Sequence, residues 1–244
     1  MLGPKQELPA VDPWPEAERL AQERELLGFY LSGHPLDPYA RDLRMLVTPT
    51  TELGQQQEGA PLRVGGLVTR VARHSDKNNQ PYAFITLEDL AGTAEVAFFS
   101  EAYAAYQSLI EPGAAVLVEG RLTQRNGRTG LQADYAVALA EARRQLTRSV
   151  SVSLDCQLVR EDLLRQVRAA CERHKGGCEL VLCVRRTDSQ ETSVRSRTVR
   201  VDPCDALLQQ LEDLVGQRRI RLSVHPPGGR AQAAAGPRRL RAAG

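Results

Sequence analysis

Three aromatic side chains stand where β-strands would turn them outward. Tyr82 and Phe84 alternate along residues 82–87 (YAFITL), and Phe99 closes the next apolar run, 93–99 (TAEVAFF). Side chains alternate between the two faces of a strand. Glu88 and Glu95 do not belong inside a small barrel, so counting back by twos puts Thr86, Phe84 and Tyr82 outside. Leu87, Ile85 and Ala83 then face in, as do Ala94, Val96 and Phe98, and Phe99 faces out with Glu95. Outward rings of this kind stack on unpaired bases, which contributes about 1–3 kcal/mol per base. Their bland alternative use is to pack beneath a neighbouring segment. Basic residues flank the rings in two groups: Arg70, Arg73 and Lys77 around the polar turn 73–80, and Arg121, Arg125 and Arg128 around the turn 126–130. Acidic and basic residues nearly cancel between 61 and 140, so no broad positive field is present. The expected affinity for phosphates is modest and salt-sensitive, which suffices for a tethered module.

Other chemistry-bearing residues point less far. Cys171, His174, Cys178 and Cys183 fall in one window, and zinc accepts those ligand types. The spacing lacks a paired C-x-x-C. Cys171 lies on a helix's apolar stripe and Cys183 in an apolar strand, where a free cysteine is an ordinary small core residue. No metal and no other cofactor is expected. The adjacent acids Glu88 and Asp89 lead into a turn, where they read as structural. His34, between Gly33 and Pro35, reads as part of a turn after a helix rather than as a catalytic base. His74 lies in the first polar turn, in reach of a phosphate or of solvent. No nucleophile–base pair, phosphate loop or paired metal carboxylates are evident. No catalytic residue is assigned, and the chain is not expected to be an enzyme by itself.

The elements that must position these residues follow from pattern. Strands are expected over 62–71, 82–87, 93–99, 115–123 and 131–139, with a helix over 100–110 that Ser100 caps and Pro112-Gly113 stops. Three strands, a helix and two strands is the order of the OB-fold, a barrel that often binds oligonucleotides across its second and third strands. Before it, Pro15 suits the first turn of a helix running to Leu31 on a Leu20, Leu27 and Leu31 stripe. A short helix over 37–45 follows, and residues 54–59 (GQQQEG) read as a linker. After the barrel, residues 149–224 read as β-α-β-β-α-β, a ferredoxin-like pattern, with Asp202-Pro203 opening its second helix. That helix carries Leu207, Leu208, Leu211 and Leu214. The class is α+β. The expected divisions are a helical connector (1–60), an OB-fold (61–140), a small α/β domain (148–225) and a disordered basic tail (226–244) with four arginines and no acid.

The bounds agree. A chain of 244 residues has room for one or two domains. No run approaches a membrane span, and the first residues lack a secretory signal's apolar core. Five cysteines without such a signal read as reduced thiols in the cytoplasm.

Residues 23–37, ERELLGFYLSGHPLD, resemble the segment that precedes the OB domain in bacterial replicative DNA polymerase III alpha subunits. Residues 84–95, FITLEDLAGTAE, continue the resemblance at that family's OB-fold. The first stretch is the more specific, since OB domains of aminoacyl-tRNA synthetases and helicases share the style of the second. The resemblance implies the non-catalytic C-terminal region, with the metal-holding palm acids, the nuclease-like N-terminal domain, fingers, thumb and clamp motif all missing. It implies single-stranded template DNA as a ligand of the OB-fold. It also implies the tau subunit of the clamp loader as a partner of the last domain, within the replisome. Two alternatives stay open: a free-standing single-stranded DNA or tRNA-binding OB protein, and a protein-interaction module without DNA affinity.

Overall fold

A computed structural model of the chain describes residues 16–28, 30–125, 128–156, 159–185, 191–216 and 219–227. The expected helix opening at Pro15 and the basic tail from 228 onward lie outside these residues. The chain forms two compact units, residues 1–38 and 39–244.

In the first unit, helix α1 (Glu16–Leu27) ends four residues earlier than the leucine stripe implied. Gly28 ends it with φ +79°, a left-handed conformation that glycine adopts without strain. The chain then doubles back. The Glu23 carboxylate accepts the backbone N–H groups of Leu31 (2.7 Å) and Ser32 (2.9 Å). The backbone N–H of His34 donates to Asp37 Oδ2 at 2.7 Å, and its ring nitrogen Nδ1 accepts from the N–H of Leu36 at 3.2 Å. His34 is thus a turn-forming residue, edge-on to Tyr30 with centroids 5.1 Å apart.

The second unit opens with α2 (Ala40–Leu46) and a 3-10 turn (Thr50–Gln55) that runs into the supposed linker and puts Leu53 in the core. Five strands follow: β1 (Pro61–Ser75), β2 (Pro81–Glu88), β3 (Thr93–Phe98), β4 (Ala115–Arg125) and β5 (Arg128–Ala138), with α3 (Ser100–Tyr106) between β3 and β4. They close in the order β1-β2-β3-β5-β4. Closure needs one strand to serve two partners. β1 does this: its first half pairs with β4 and its second with β2. The strand bends at Gly66, where any Cβ would collide with the Glu88 carbonyl, and a bulge follows between Val68 and Arg70. Parallel pairing of Glu95–Ala97 with Gly130–Gln132 completes the barrel. Val64, Val68, Ile85, Leu87, Val96, Phe98 and Leu131 fill it, and Ile110 is buried with them. Each such side chain contributes about 1.5–3 kcal/mol on burial. Ser100 is not the cap of α3. Phe99 occupies that position in extended conformation without a side-chain cap, and α3 is four residues shorter than expected.

A helix that the sequence pattern did not suggest, α4 (Leu139–Leu146), joins the barrel to a four-stranded sheet. The sheet comprises β6 (Thr147–Asp155), β7 (Lys175–Arg185), β8 (Glu191–Val201) and β9 (Ile220–Val224), with α5 (Glu161–Arg173) and α6 (Asp205–Val215) interleaved. The β-α-β-β-α-β order holds. The sheet order is β8-β7-β6-β9, so β6 and β7 pair directly and in parallel rather than with a strand between them. Leu207, Leu208 and Leu211 on α6 are fully buried against Val150, Val152, Cys171 and Val201, so that leucine face is core. Asp202 does not cap α6. Cys204 holds the cap position, and Asp202 accepts from Arg144 at 2.7 Å. Among the described residues no helix is long and apolar enough to cross a membrane.

Buried charge ties barrel to sheet. Arg143 of α4 grips Asp42 of α2 with two hydrogen bonds, Nε to Oδ1 at 2.6 Å and Nη2 to Oδ2 at 3.0 Å. It also donates to Asp205 at the start of α6. Burial opposes the charge, and the hydrogen bonds to Asp42 and Asp205 outweigh it, holding the guanidinium above the ordinary arginine range. Arg63 of β1 pairs with Glu119 of β4 at 2.7 Å, both almost fully buried, and donates to the carbonyl of His225 beyond β9. Breaking one partner of a buried pair strands the other charge, at a cost of about 3–5 kcal/mol. Asp42→Leu should therefore lower stability by about that much in urea unfolding, and the double variant Asp42→Leu/Arg143→Leu should recover more than half of the loss. Equal losses in the two variants would show that the pairing itself is not what matters.

Candidate nucleic-acid interface

The ladder registers decide which side chains share the outer face. β1 pairs Arg70 with Thr86, Ala72 with Phe84 and His74 with Tyr82. β3 sets Glu95 beside Thr86 and Ala97 beside Phe84. Across the closure, Gln132 stands opposite both Ala97 and Arg121. Directly opposed residues project to one side of a sheet. Arg70, Ala72, His74, Tyr82, Phe84, Thr86, Glu95, Ala97, Gln132 and Arg121 therefore share one continuous surface.

On it, four rings form a cluster. His74 stacks on Tyr82, with centroids 5.4 Å apart and planes 28° apart. Phe84 meets Tyr82 edge-to-face at 5.8 Å and Phe99 at 6.1 Å, and Tyr82 lies 5.9 Å from Phe99. These separations lie within the range of favourable ring pairs. Tyr82, Phe84 and Phe99 are half-buried and His74 is exposed, so the rings brace one another and still present area to solvent. The structure brings Tyr82, Phe84 and Phe99 together. His74 belongs to β1 rather than to the first polar turn, and its spacing from Ala72 continues the outward count by one more step.

The basic residues divide. Arg70 and Lys77 are exposed, and among the described residues neither makes an ion pair. Lys77 sits in a turn fixed by Asp76, whose carboxylate accepts the N–H groups of Asn78 (2.8 Å) and Gln80 (2.7 Å). Arg121 shares the ring face and stands 3.8 Å from Asp134. Arg73 does not join them. It pairs with Ala83, an inward position, and its guanidinium bonds Glu111 at 2.7 Å. Hydrogen bonding to Glu111 and then to Tyr103 holds Arg73 above the ordinary arginine range. The backbones of Arg125 and Arg128 pair at the tip of β4 and β5, and their side chains lie outside the described residues.

The remaining candidates have structural partners. Asp89 accepts four hydrogen bonds, from the backbone and hydroxyl of Thr50 and the backbones of Ala91 and Gly92, at 2.7–2.9 Å. Among the described residues no group of three or more His, Cys, Asp or Glu side chains is placed to hold a metal ion. Cys178 Sγ donates to the Thr147 carbonyl at 3.1 Å, and Cys183 Sγ lies 3.4 Å from Ser193 Oγ. His174 faces Cys204 and Gln210 rather than the other three cysteines. Cys171 is in the core.

A family model described as an OB-fold nucleic acid binding domain matches residues 62–139. The DNA polymerase III subunit alpha of Pseudomonas aeruginosa is 34% identical over 209 residues, 84% of this chain. That of Mycobacterium tuberculosis H37Rv is 34% identical over 208 residues, also 84%. That of Escherichia coli K12 is 30% identical over 223 residues, 89% of this chain.

Over most of its length the chain is similar to one part of the DNA polymerase III alpha subunit.

It spans 18–19% of the length of these alpha subunits, and the match fits their C-terminal region. Solved structures superpose weakly. The TM-score is 0.32 at 14% identity with asparaginyl-tRNA synthetase from Pyrococcus horikoshii, over 38% of this chain and 22% of that one. It is 0.28 at 14% identity with the mitochondrial single-stranded DNA binding protein Rim1 from S. cerevisiae, over 34% and 96%. Scores this low carry no weight beside the alpha-subunit match.

Burial pushes the Cys171 thiol up to about 11, with the charge of Glu172 adding to it. The reactive thiolate is then scarce at pH 8. A disulfide-exchange reagent at pH 8 should modify exposed Cys156 at once and Cys171 only on unfolding. Modification of Cys171 in the folded chain, read by mass spectrometry of its peptide, would contradict its place in the core.

Proposed function

We propose that the outer face of β1, β2 and β3 binds single-stranded DNA. The observation that carries this reading is the four-ring cluster of His74, Tyr82, Phe84 and Phe99, held half-open on strands whose inward positions are apolar. Bases stack on the rings, and Arg70, Lys77 and Arg121 meet phosphates, joined by Arg125 and Arg128 at the β4–β5 tip. Arg73, tied to Glu111, contributes least. Stacking reads every base alike, so the surface suits template of any sequence. The chain does this as a non-catalytic part of a replicative polymerase, with residues 1–60 as connector and 61–140 as the binding module. Residues 148–225 dock the tau subunit of the clamp loader; the support for tau is the resemblance to replicative alpha subunits.

Fluorescence anisotropy with labelled oligo-dT tests the DNA reading. Phe84→Ala should weaken binding roughly 5- to 150-fold, the equivalent of about 1–3 kcal/mol. Each of Arg70→Ala, Lys77→Ala and Arg121→Ala should lower the slope of log affinity against log salt by about 0.7, whereas Arg73→Ala should change it less. Absence of binding at low salt would sink the reading and leave the ring face as a protein-docking surface. Immobilised tau that fails to retain the chain would separately remove the tau assignment.

A further inference from the structure

A cleft of about 290 Å³ opens where α4 and β6 meet the first residues of β7 and the last of β8. Three arginines from different elements converge on it: Arg144 of α4, Arg148 of β6 and Arg200 of β8, with His225 at the rim. Arg144 is held by Asp202 at 2.7 Å, and Arg200 Nη1 donates to the Gly177 carbonyl at 3.1 Å. A guanidinium has five N–H donors, so both keep donors to spare. Arg148 is exposed, and among the described residues it makes no ion pair or hydrogen bond. The one acid lining the cleft, Glu179, lies 3.4 Å from Arg195.

A second observation lies in the wall. Thr147 is 4% exposed and its hydroxyl has no hydrogen-bond partner, the one such buried side-chain atom among the described residues. Thr147 lines the cleft together with the three arginines, and a ligand that accepts a hydrogen bond there would satisfy its hydroxyl. The backbone is also shaped here. Thr147 pairs with Val224 and Ser149 with Ser223, which makes Arg148 the extra residue of a bulge. Lys175 and Cys178 both stand opposite Val201, so Gly176 and Gly177 loop out of the ladder. Bulges re-aim side chains at sites of use.

We infer that this cleft binds a phosphate group. Guanidinium forks and a hydroxyl supplied by α4, β6 and β8 match an anion with several terminal oxygens. The volume admits one phosphate or pyrophosphate, or a single phosphate of a longer strand, rather than a whole large ligand. The cleft is separate from the ring face and does not depend on it.

The test is calorimetric titration of the full chain with sodium phosphate and pyrophosphate, alongside oligo-dT anisotropy. Arg148→Glu should weaken anion binding at least tenfold. Gly177→Asp, whose Cβ would meet nothing within 4 Å, should do the same through its added carboxylate. Thr147→Val should weaken binding and, in anion-free buffer, raise the urea midpoint, a pair of effects that a purely structural hydroxyl would not produce. The Tyr82→Ala/Phe84→Ala/Phe99→Ala variant should bind pyrophosphate as the parent chain does. Pyrophosphate binding with oligo-dT affinity indifferent to Arg148→Glu identifies a free anion as the ligand. An Arg148-dependent part of oligo-dT affinity that persists in the ring variant identifies a strand phosphate. No heat with either anion, together with oligo-dT affinity indifferent to Arg148→Glu, overturns the proposal.

Discussion

The second unit depends on one buried guanidinium. Arg143 lies 8% exposed in α4, the short helix between barrel and sheet, and its charge is tolerable there only because Asp42 and Asp205 reach it. Those two acids belong to α2, before the barrel, and to α6, which follows β8. The fork therefore holds three elements at fixed distance and direction, which apolar packing alone does less strictly. Leu43 and Val47 support the same junction by sitting over Gly65, where a Cβ would crowd both. Arg63 repeats the logic one strand along: Glu119 neutralises it, and the His225 carbonyl brings the end of the sheet to the barrel.

This junction covers the outer side of β4 and the start of β1, and so leaves the outer side of β1, β2 and β3 for the rings. A closed barrel has one interior, and in β2 strict alternation commits Ala83, Ile85 and Leu87 to it. The intervening Tyr82, Phe84 and Thr86 have no choice but the outside. What makes the outside a platform rather than a scatter of rings is contact across three strands, with Phe84 touching His74, Tyr82 and Phe99. The bulge between Val68 and Arg70 sets the phase of β1, turning Arg70 and His74 to that face and Arg73 away from it.

Two surfaces of different character thus occupy one unit. The ring face offers clustered aromatic area with scattered cations and with Glu95 and Asp134 close by, which favours stacking over charge. The cleft beside α4 is small and cationic and lacks rings. Both lie where a strand departs from regular pairing, and each departure is marked by a glycine or a bulge.

Alternation and turn chemistry by themselves determined the barrel's strands, the inward and outward residues of β2 and β3, and the three outward rings, because period-two burial is written locally. The motifs at residues 23–37 and 84–95 likewise carry the similarity to the alpha subunits. Tertiary structure alone decided the rest. Helix α4 was illegible because its eight residues are too few to show a period, and its key side chain is an arginine whose partners lie 101 and 62 positions away. The pairing of β6 directly with β7, the turning of Arg73 to Glu111, and the meeting of Arg144, Arg148, Arg200 and Thr147 around one cleft also depend on contacts distant in sequence. Local pattern says which way a side chain must point. It does not say what another part of the chain will bring opposite it.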